Sequence, residues 1–368
     1  MRIIFTVTND LNYDGRMIRI CNSLFNAGYN VTLVGTHFKT SAPLQQQNYK
    51  QKRIRVNVEK GFGFYVEYNL KLFFYLLFQK SDILCCIDLD TMLPVYFVSM
   101  LKRKTGVYDA HEYFSQQKEI VTRAKIYRFW HFIEKTFVPR FKNGYTVSEG
   151  IANAFKKNYG VEYGVIRNMP LLKTLPVKAF ESKNIIYRGS VNEGRGFEYL
   201  MPAMKSIPAK LIIFGAGNFF EQAKKLVHEN HLRDKIEFRG KILPSELDAV
   251  TANFYLGLNL VEMSGHNQYL SLANKVFDYI QNVIPQITMN FPEYKKINEE
   301  FEVAILIDNL KPESISHAAN LLLRDKDLYL RLKQNCLKAR EIYNWQNEQK
   351  KLLYFYEQLN KYSRQTNN

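Results

Sequence analysis

Short apolar runs of strand length alternate with amphipathic stretches of helical spacing along most of the chain. A first strand is expected over residues 2–7, followed by a polar loop that ends in Asp14-Gly15-Arg16. Met17, Ile20 and Leu24 then recur at helical spacing, and Gly28 suits the left-handed position that closes a helix. Further strands are expected over 29–35, 54–58, 83–87, 106–108 and 144–147. Helices are expected over 65–78, 94–101, 118–142 and 150–159, the last ended by Gly160. Val165 and Ile166 close this half, and residues 167–183, with Pro170 and Pro176 and no clean period, read as a linker.

The pattern then restarts. Strands are expected over 185–187, 210–214, 236–238, 256–260 and 304–307, and Pro285-Gln286-Ile287 opens another. Helices are expected between them, and from Pro312 onward the chain reads as helical, leaving residues 363–368 as a loose tail. Strand and helix alternating in this way give parallel sheets covered on both faces. The expected fold class is therefore α/β, with two doubly wound, Rossmann-like domains facing each other across a cleft. Ligands of such sheets bind at the carboxyl ends of the strands.

One stretch organises the second half. After a polar loop over 264–268, Ser271, Asn274, Lys275 and Asp278 recur at three- and four-residue spacing, so a helix stacks them on neighbouring turns. Ser271 is the expected N-cap. The free N–H groups of that helix start, an amide and a lysine together suit a diphosphate, and Asp278 suits ribose hydroxyls. A solvated surface helix is the plain alternative.

Composition and the chain's start change this picture in four ways. No uninterrupted apolar run reaches the length of a bilayer span. Met1-Arg2 leads straight into the first strand, so no secretory leader is expected. Cys21, Cys85, Cys86 and Cys336 have neither metal spacing nor a disulfide framework, which fits a reducing cytoplasm. Against 35 acidic residues stand 51 Lys and Arg, a net charge of +16 that favours an anionic partner. The charge concentrates between Lys118 and Lys142, where seven cations are interleaved with Tyr127, Phe129, Trp130, Phe132 and Phe137. That segment either rests on an anionic membrane surface or binds nucleic acid, or it simply turns its aromatics inward.

Other candidates lie in loops after strands. Gly189 to Gly196 allows a phosphate to approach the backbone, and Arg195 supplies a bidentate cation. Gly215-Ala216-Gly217 lacks the third glycine of a dinucleotide fingerprint, because Phe220 stands there, and reads as a tight turn beside a ligand. Asp109, His111 and Glu112 gather at a strand end, where the histidine either acts on a hydroxyl or caps the next helix.

In this order, the motifs resemble the retaining, GT-B fold glycosyltransferases of family 4, also called group 1 glycosyltransferases. The resemblance rests on Asp88-Leu89-Asp90-Thr91, Tyr108-Asp109-Ala110-His111-Glu112 and Thr146-Val147-Ser148-Glu149. It continues through Val165-Ile166-Arg167-Asn168-Met169-Pro170, Tyr187-Arg188-Gly189, Arg195-Gly196, Phe214-Gly215-Ala216-Gly217 and Phe238-Arg239-Gly240. Asn274-Lys275-Val276-Phe277-Asp278-Tyr279 and Asn344-Trp345 complete it.

The resemblance implies three segments: an acceptor-side domain over 1–168, a donor-side domain over 169–343, and a last helix, 344–368, that returns to the first domain. It implies transfer of a sugar from a nucleotide-diphosphate sugar to a saccharide or lipid-linked saccharide, with retention, in the assembly of cell-surface polysaccharide. His111, Arg195 and Lys275 would be catalytic. Gly15, Arg16, Gly189, Ser190, Gly217, Ile242, Ser271, Asn274 and Asp278 would hold the donor, with Asp109 and Glu112 on the acceptor or sugar side. No cofactor or metal is expected, because protein cations hold the diphosphate. The expected location is the cytoplasm, peripheral on the inner face of the plasma membrane. Two positions depart from the family pattern: Ser190 replaces the first arginine of the phosphate pair, and Leu270 the first of two spaced acids. In the family that acid reads hydroxyls of the donor sugar, so the resemblance leaves the sugar open, with His266, Asn267 or Gln268 as the residues to take over the contact. A nucleotide-sugar epimerase or hydrolase of the same fold, a basic nucleic-acid-binding protein and an inactive scaffold are the rival readings.

Overall fold

Burial on both faces explains the uninterrupted apolar runs. In the computed structural model, which describes residues 1–172, 174, 183–263 and 265–365, the two sheets are wholly parallel. Most of the linker expected over 167–183, Ser264 and the last three residues of the tail lie outside the described residues. The chain divides into two units, Met1–Asn168 with Glu348–Asn368, and Met169–Asn347.

The first unit carries β1 (Arg2–Thr6), β2 (Asn30–His37), β3 (Lys50–Arg55), β4 (Ile83–Ile87), β5 (Thr105–Ala110), β6 (Asn143–Thr146) and β7 (Gly164–Val165). Their order across the sheet is β3-β2-β1-β4-β5-β6-β7. The order reverses between β1 and β4, which places a switch point at the carboxyl ends of those strands. Every residue of β4 is buried, as a central parallel strand requires. The edge strand β3 lies earlier than expected, at Lys50–Arg55 rather than 54–58. An edge strand has one exposed flank, so its Lys50, Lys52 and Arg55 leave no apolar run to read. The helix expected over 118–142 is two helices, Lys118–Val121 and Ala124–Phe137, followed by a tight turn at Val138–Arg140. Pro139, which lacks an N–H donor and so cannot continue the hydrogen-bond ladder, ends the second.

The second unit carries β8 (Ile185–Arg188), β9 (Leu211–Phe214), β10 (Ile236–Gly240), β11 (Leu256–Asn259), β12 (Gln286–Met289) and β13 (Ala304–Ile307). The order β10-β9-β8-β11-β12-β13 repeats the first sheet's logic, with the switch point between β8 and β11.

The last helix, Trp345–Gln365, extends through residues 363–365, which the sequence pattern left as tail. From Glu348 it belongs to the first unit, where Tyr356 is fully buried against Phe5 and Tyr145. Glu348 accepts from the Arg167 amide at 2.7 Å. In the second unit, the Trp345 amide donates to the Pro170 carbonyl at 2.8 Å.

Candidate functional site

In the second unit, four expected residues come together at the carboxyl end of β8. The helix that carries Lys275 begins at Asn274 and runs to Gln281. Its N-cap position is held by Ala273, with no side-chain cap, so its first amides are not capped by a side chain. The expected N-cap, Ser271, instead ends a separate short helix, His266–Leu270, and its amide donates to the Asn267 carbonyl. That helix also takes most of the expected polar loop. Asn274 is exposed at the helix start.

Lys275 is buried, with its Nζ 3.9 Å from the centre of the Tyr187 ring. The ammonium has no hydrogen-bond partner among the described residues. Burial pushes its pKa well below 10.5, Arg195 and Arg188 push it further, and Asp278 opposes them. A half-buried Arg195 therefore shares the neighbourhood of Lys275. The Gly189 backbone lies alongside; a Cβ built there would be 3.6 Å from Lys275 Cε.

Arg188, the residue before Gly189, organises the other side. Its Nη2 lies 3.0 Å from Asp248 and 3.2 Å from Asp278, and its Nη1 donates to Thr251 Oγ1 at 3.1 Å. Burial lowers its pKa, but Asp278 and Asp248 together raise it. Asp278, expected on ribose hydroxyls, is thus neutralised and fixed by a cation from within the sheet. No role for Arg188 or Asp248 was read from sequence. The signal was an arginine ending an otherwise apolar strand, but its partners are 60 and 90 residues away.

Close packing alone requires a glycine at position 217. A Cβ there would fall 2.1 Å from Asn192 Oδ1 and 2.3 Å from the Val191 carbonyl. At Gly215, with φ of 150°, a Cβ would lie 1.8 Å from the Gly189 carbonyl. Both glycines let the Gly189–Asn192 loop lie on its neighbour, so Gly217 is required for the packing of the site. Ser190 is exposed, and its carbonyl accepts from the Tyr187 hydroxyl at 2.7 Å, which fixes the ring under Lys275. Ile242 is half-buried and packs on a small cluster that includes Phe214, Phe254 and Tyr279.

In the first unit, the ionisable groups after β5 are largely paired. Asp109 is fully buried and lies 3.1 Å from Arg16 Nη2. Burial would raise its pKa, but Arg16 and His111 outweigh burial and lower it. Arg16 also donates to the Ile166 carbonyl at 3.0 Å and, through Nε, to His111 Nε2 at 2.9 Å. Two expectations are corrected here. Arg16 is buried and committed to three acceptors rather than open to a donor phosphate, and Asp109 is sealed under it rather than open to an acceptor. Gly15 is exposed and starts the Gly15–Asn26 helix, which Asp14 caps by accepting from the Met17 amide.

His111 keeps a usable face. Nε2 accepts from Arg16, so the neutral ring carries its proton on Nδ1, which has no hydrogen-bond partner among the described residues. Burial lowers its pKa and Arg16 adds to that, yet Asp109, 3.1 Å from Nε2, prevails with Asp88 and raises it. Nδ1 carries a proton in both states, so His111 can donate a hydrogen bond but not accept one there. Asp88 shapes the turn: its Oδ1 accepts from the His111 amide at 2.8 Å and the Glu112 amide at 3.3 Å. Its φ of 53° is a strained choice for a non-glycine residue. Glu112 is half-buried beside Asp88 and Asp90; burial raises the pKa of both, that of Asp90 to about 6.

None of the curated proteins matches the chain by sequence. The family described as Glycosyl transferases group 1 matches residues 176–339. Among solved structures, sucrose-phosphate synthase from Thermosynechococcus elongatus is 15% identical, with a TM-score of 0.81 over 98% of this chain and 99% of that one. HepE of Anabaena, in complex with UDP and glucose, is 13% identical, with a TM-score of 0.76 over 97% of this chain and 100% of the other. WaaG, a glycosyltransferase involved in lipopolysaccharide biosynthesis, is 14% identical, with a TM-score of 0.70 over 93% and 95%. The chain has the two-sheet GT-B fold of these structures, and its residues 176–339, a little under half of it, match the group 1 glycosyl transferase family.

Proposed function

We propose that this chain transfers a sugar from a nucleotide-diphosphate sugar, and that Lys275, Arg195 and the start of the Asn274–Gln281 helix hold the diphosphate. The observation that carries this reading is the buried ammonium of Lys275, which has no hydrogen-bond partner among the described residues and lies beside Gly189 and Arg195. An unpaired buried cation is costly unless an anion completes it. A diphosphate brings the needed charge, and its charge grows as the sugar departs, so the same cations favour the transition state more than the ground state. Asp278, oriented by Arg188, accepts from ribose hydroxyls.

The bond from the anomeric carbon to the diphosphate breaks, and an acceptor hydroxyl bonds to that carbon and gives up its proton. Transfer with retention and membership of family 4 are carried over from the motif resemblance, as is a saccharide or lipid-linked saccharide acceptor in cell-surface polysaccharide assembly. A hexose is the sugar class proposed. His111, as an Nδ1–H donor, suits a sugar hydroxyl rather than proton abstraction. HepE in complex with UDP and glucose makes UDP the first nucleotide to try.

Thermal shift with UDP, GDP and ADP tests the reading. A nucleotide at about a hundred times its Kd adds about 2.7 kcal/mol of stability. One of the three is expected to raise the melting temperature of the wild type and to lose that effect in Lys275→Met. No shift with any of them, or an equal shift in the variant, would remove Lys275 from donor binding. Nucleotide release with and without saccharide acceptor then separates transfer from hydrolysis.

A further inference from the structure

The Gly61–Phe78 helix of the first unit is apolar on two opposite faces. Phe64, Tyr68, Leu72 and Leu76 are buried in the core. Half a turn away, Phe62, Val66, Leu70, Phe74 and Phe78 form a second stripe, at four-residue spacing, that is 42% to 79% exposed. A helix apolar all round is ordinarily covered all round. The stripe continues onto neighbouring helices. Phe62 packs on Phe129 of the Ala124–Phe137 helix, with ring centres 5.3 Å apart, and Phe132 of that helix is also exposed. Phe97, Met100 and Leu101 extend the exposed apolar surface along the Met92–Leu101 helix, where Phe97 meets Phe137 at 5.9 Å.

The charges on this surface are predominantly cationic. Lys125, Arg128 and Lys135 share the exposed face of Phe129 and Phe132, and none has a carboxylate partner among the described residues. Lys60 and Lys80 flank one helix, and Arg103 and Lys104 follow another. The three helices hold two acids between them. Glu67 is engaged with the Asn57 and Val58 amides and with Lys71, and Glu134 is buried. A second copy of the chain docked through the same face would set these cations against one another. An anionic bilayer accepts both features, the aromatic and aliphatic side chains below the headgroups and the cations among them. No helix among the described residues is long and apolar enough to cross a membrane. The Gly61–Phe78 helix, about 27 Å long at 1.5 Å per residue, would therefore lie in the interface.

We infer that the face built by the exposed stripe of the Gly61–Phe78 helix and by Lys125, Arg128, Phe129, Phe132 and Lys135 docks on an anionic lipid surface. The inference does not rest on the proposed donor site. Flotation of the full chain with phosphatidylcholine vesicles, with and without phosphatidylglycerol, tests it. The wild type is expected to float with the anionic vesicles and to bind at least about tenfold more weakly at high salt. Replacing Lys125, Arg128 and Lys135 together by Gln is expected to weaken binding roughly 100-fold. Leu70→Ser with Phe74→Ser and Phe78→Ser is expected to weaken it more than about tenfold. These side chains are exposed, so melting temperature and nucleotide-induced shift stay at wild-type values in both variants. Failure of the wild type to float, equal binding to neutral vesicles, or unchanged binding by either variant overturns the inference. So does a dimer that Leu70→Ser dissociates.

Discussion

The two sheets share a strand order but differ in how buried charge is met at their carboxyl ends. After β5, Arg16 and Asp109 neutralise each other under His111, and each has a named partner. After β8, Arg188 is matched by Asp248 and Asp278, but the ammonium of Lys275 beside it rests on the Tyr187 ring and has no hydrogen-bond partner or ion pair among the described residues. Where charges are paired, their chief product is a fixed geometry. Where a cation is left over, the site is poised for an anion from outside. The same burial thus makes a strut in one unit and a receptor in the other.

The sharpest way to break this contrast is Arg16→Met, which leaves Asp109 buried beside His111 alone. A loss of about 3–5 kcal/mol is expected, measured by urea unfolding. A loss under about 1 kcal/mol would mean that the pairing is not a strut. Lys275→Met should behave oppositely. It removes an unpaired buried charge, so stability should hold or rise, while sugar transfer should fall about 10²- to 10³-fold. Unfolding and initial-rate assays on one preparation check both halves.

Arg188 allows an intermediate test. Asp248→Asn or Asp278→Asn alone leaves one carboxylate on Arg188 and should cost about 1 kcal/mol. Together they should cost about 3 kcal/mol or more, because the guanidinium is then buried without a counter-charge. Strict additivity in the double-mutant cycle would deny that the acids share it.

The smallest effect is in protons. The folded pKa of Lys275 is depressed, so between that value and 10.5 the unfolded chain holds a proton that the folded chain lacks. Stability from this group therefore rises with pH across that window. A bound diphosphate raises the pKa, so binding there should take up part of a proton. Calorimetry in buffers of different ionisation enthalpy reads it, and the uptake should vanish in Lys275→Met.

Sequence carried the βα repetition well. Central strands such as Ile83–Ile87 are buried on both faces, and that burial is written as continuous apolar residues. It carried β3 poorly, because an edge strand needs no such run. It pointed to Lys275, Arg195 and Asp278, but it placed the helix start at Ser271, which the preceding turn of helix claims. It offered Arg16 as a ligand contact because a loop arginine at a strand end looks the same whether or not Asp109 lies beneath it.

What the amino-acid order determined by itself is periodic: which segments are strands, which are helices, and that two parallel sheets follow one another. Periodicity is local, and burial imposes it residue by residue. What only the tertiary structure decided is which charges meet and which surfaces stay uncovered. Arg188 finds its acids 60 and 90 residues away, and both stripes of the Gly61–Phe78 helix are equally apolar in sequence. Packing alone covers one stripe and leaves the other open, because electrostatic pairing and burial depend on positions in space that no local pattern encodes.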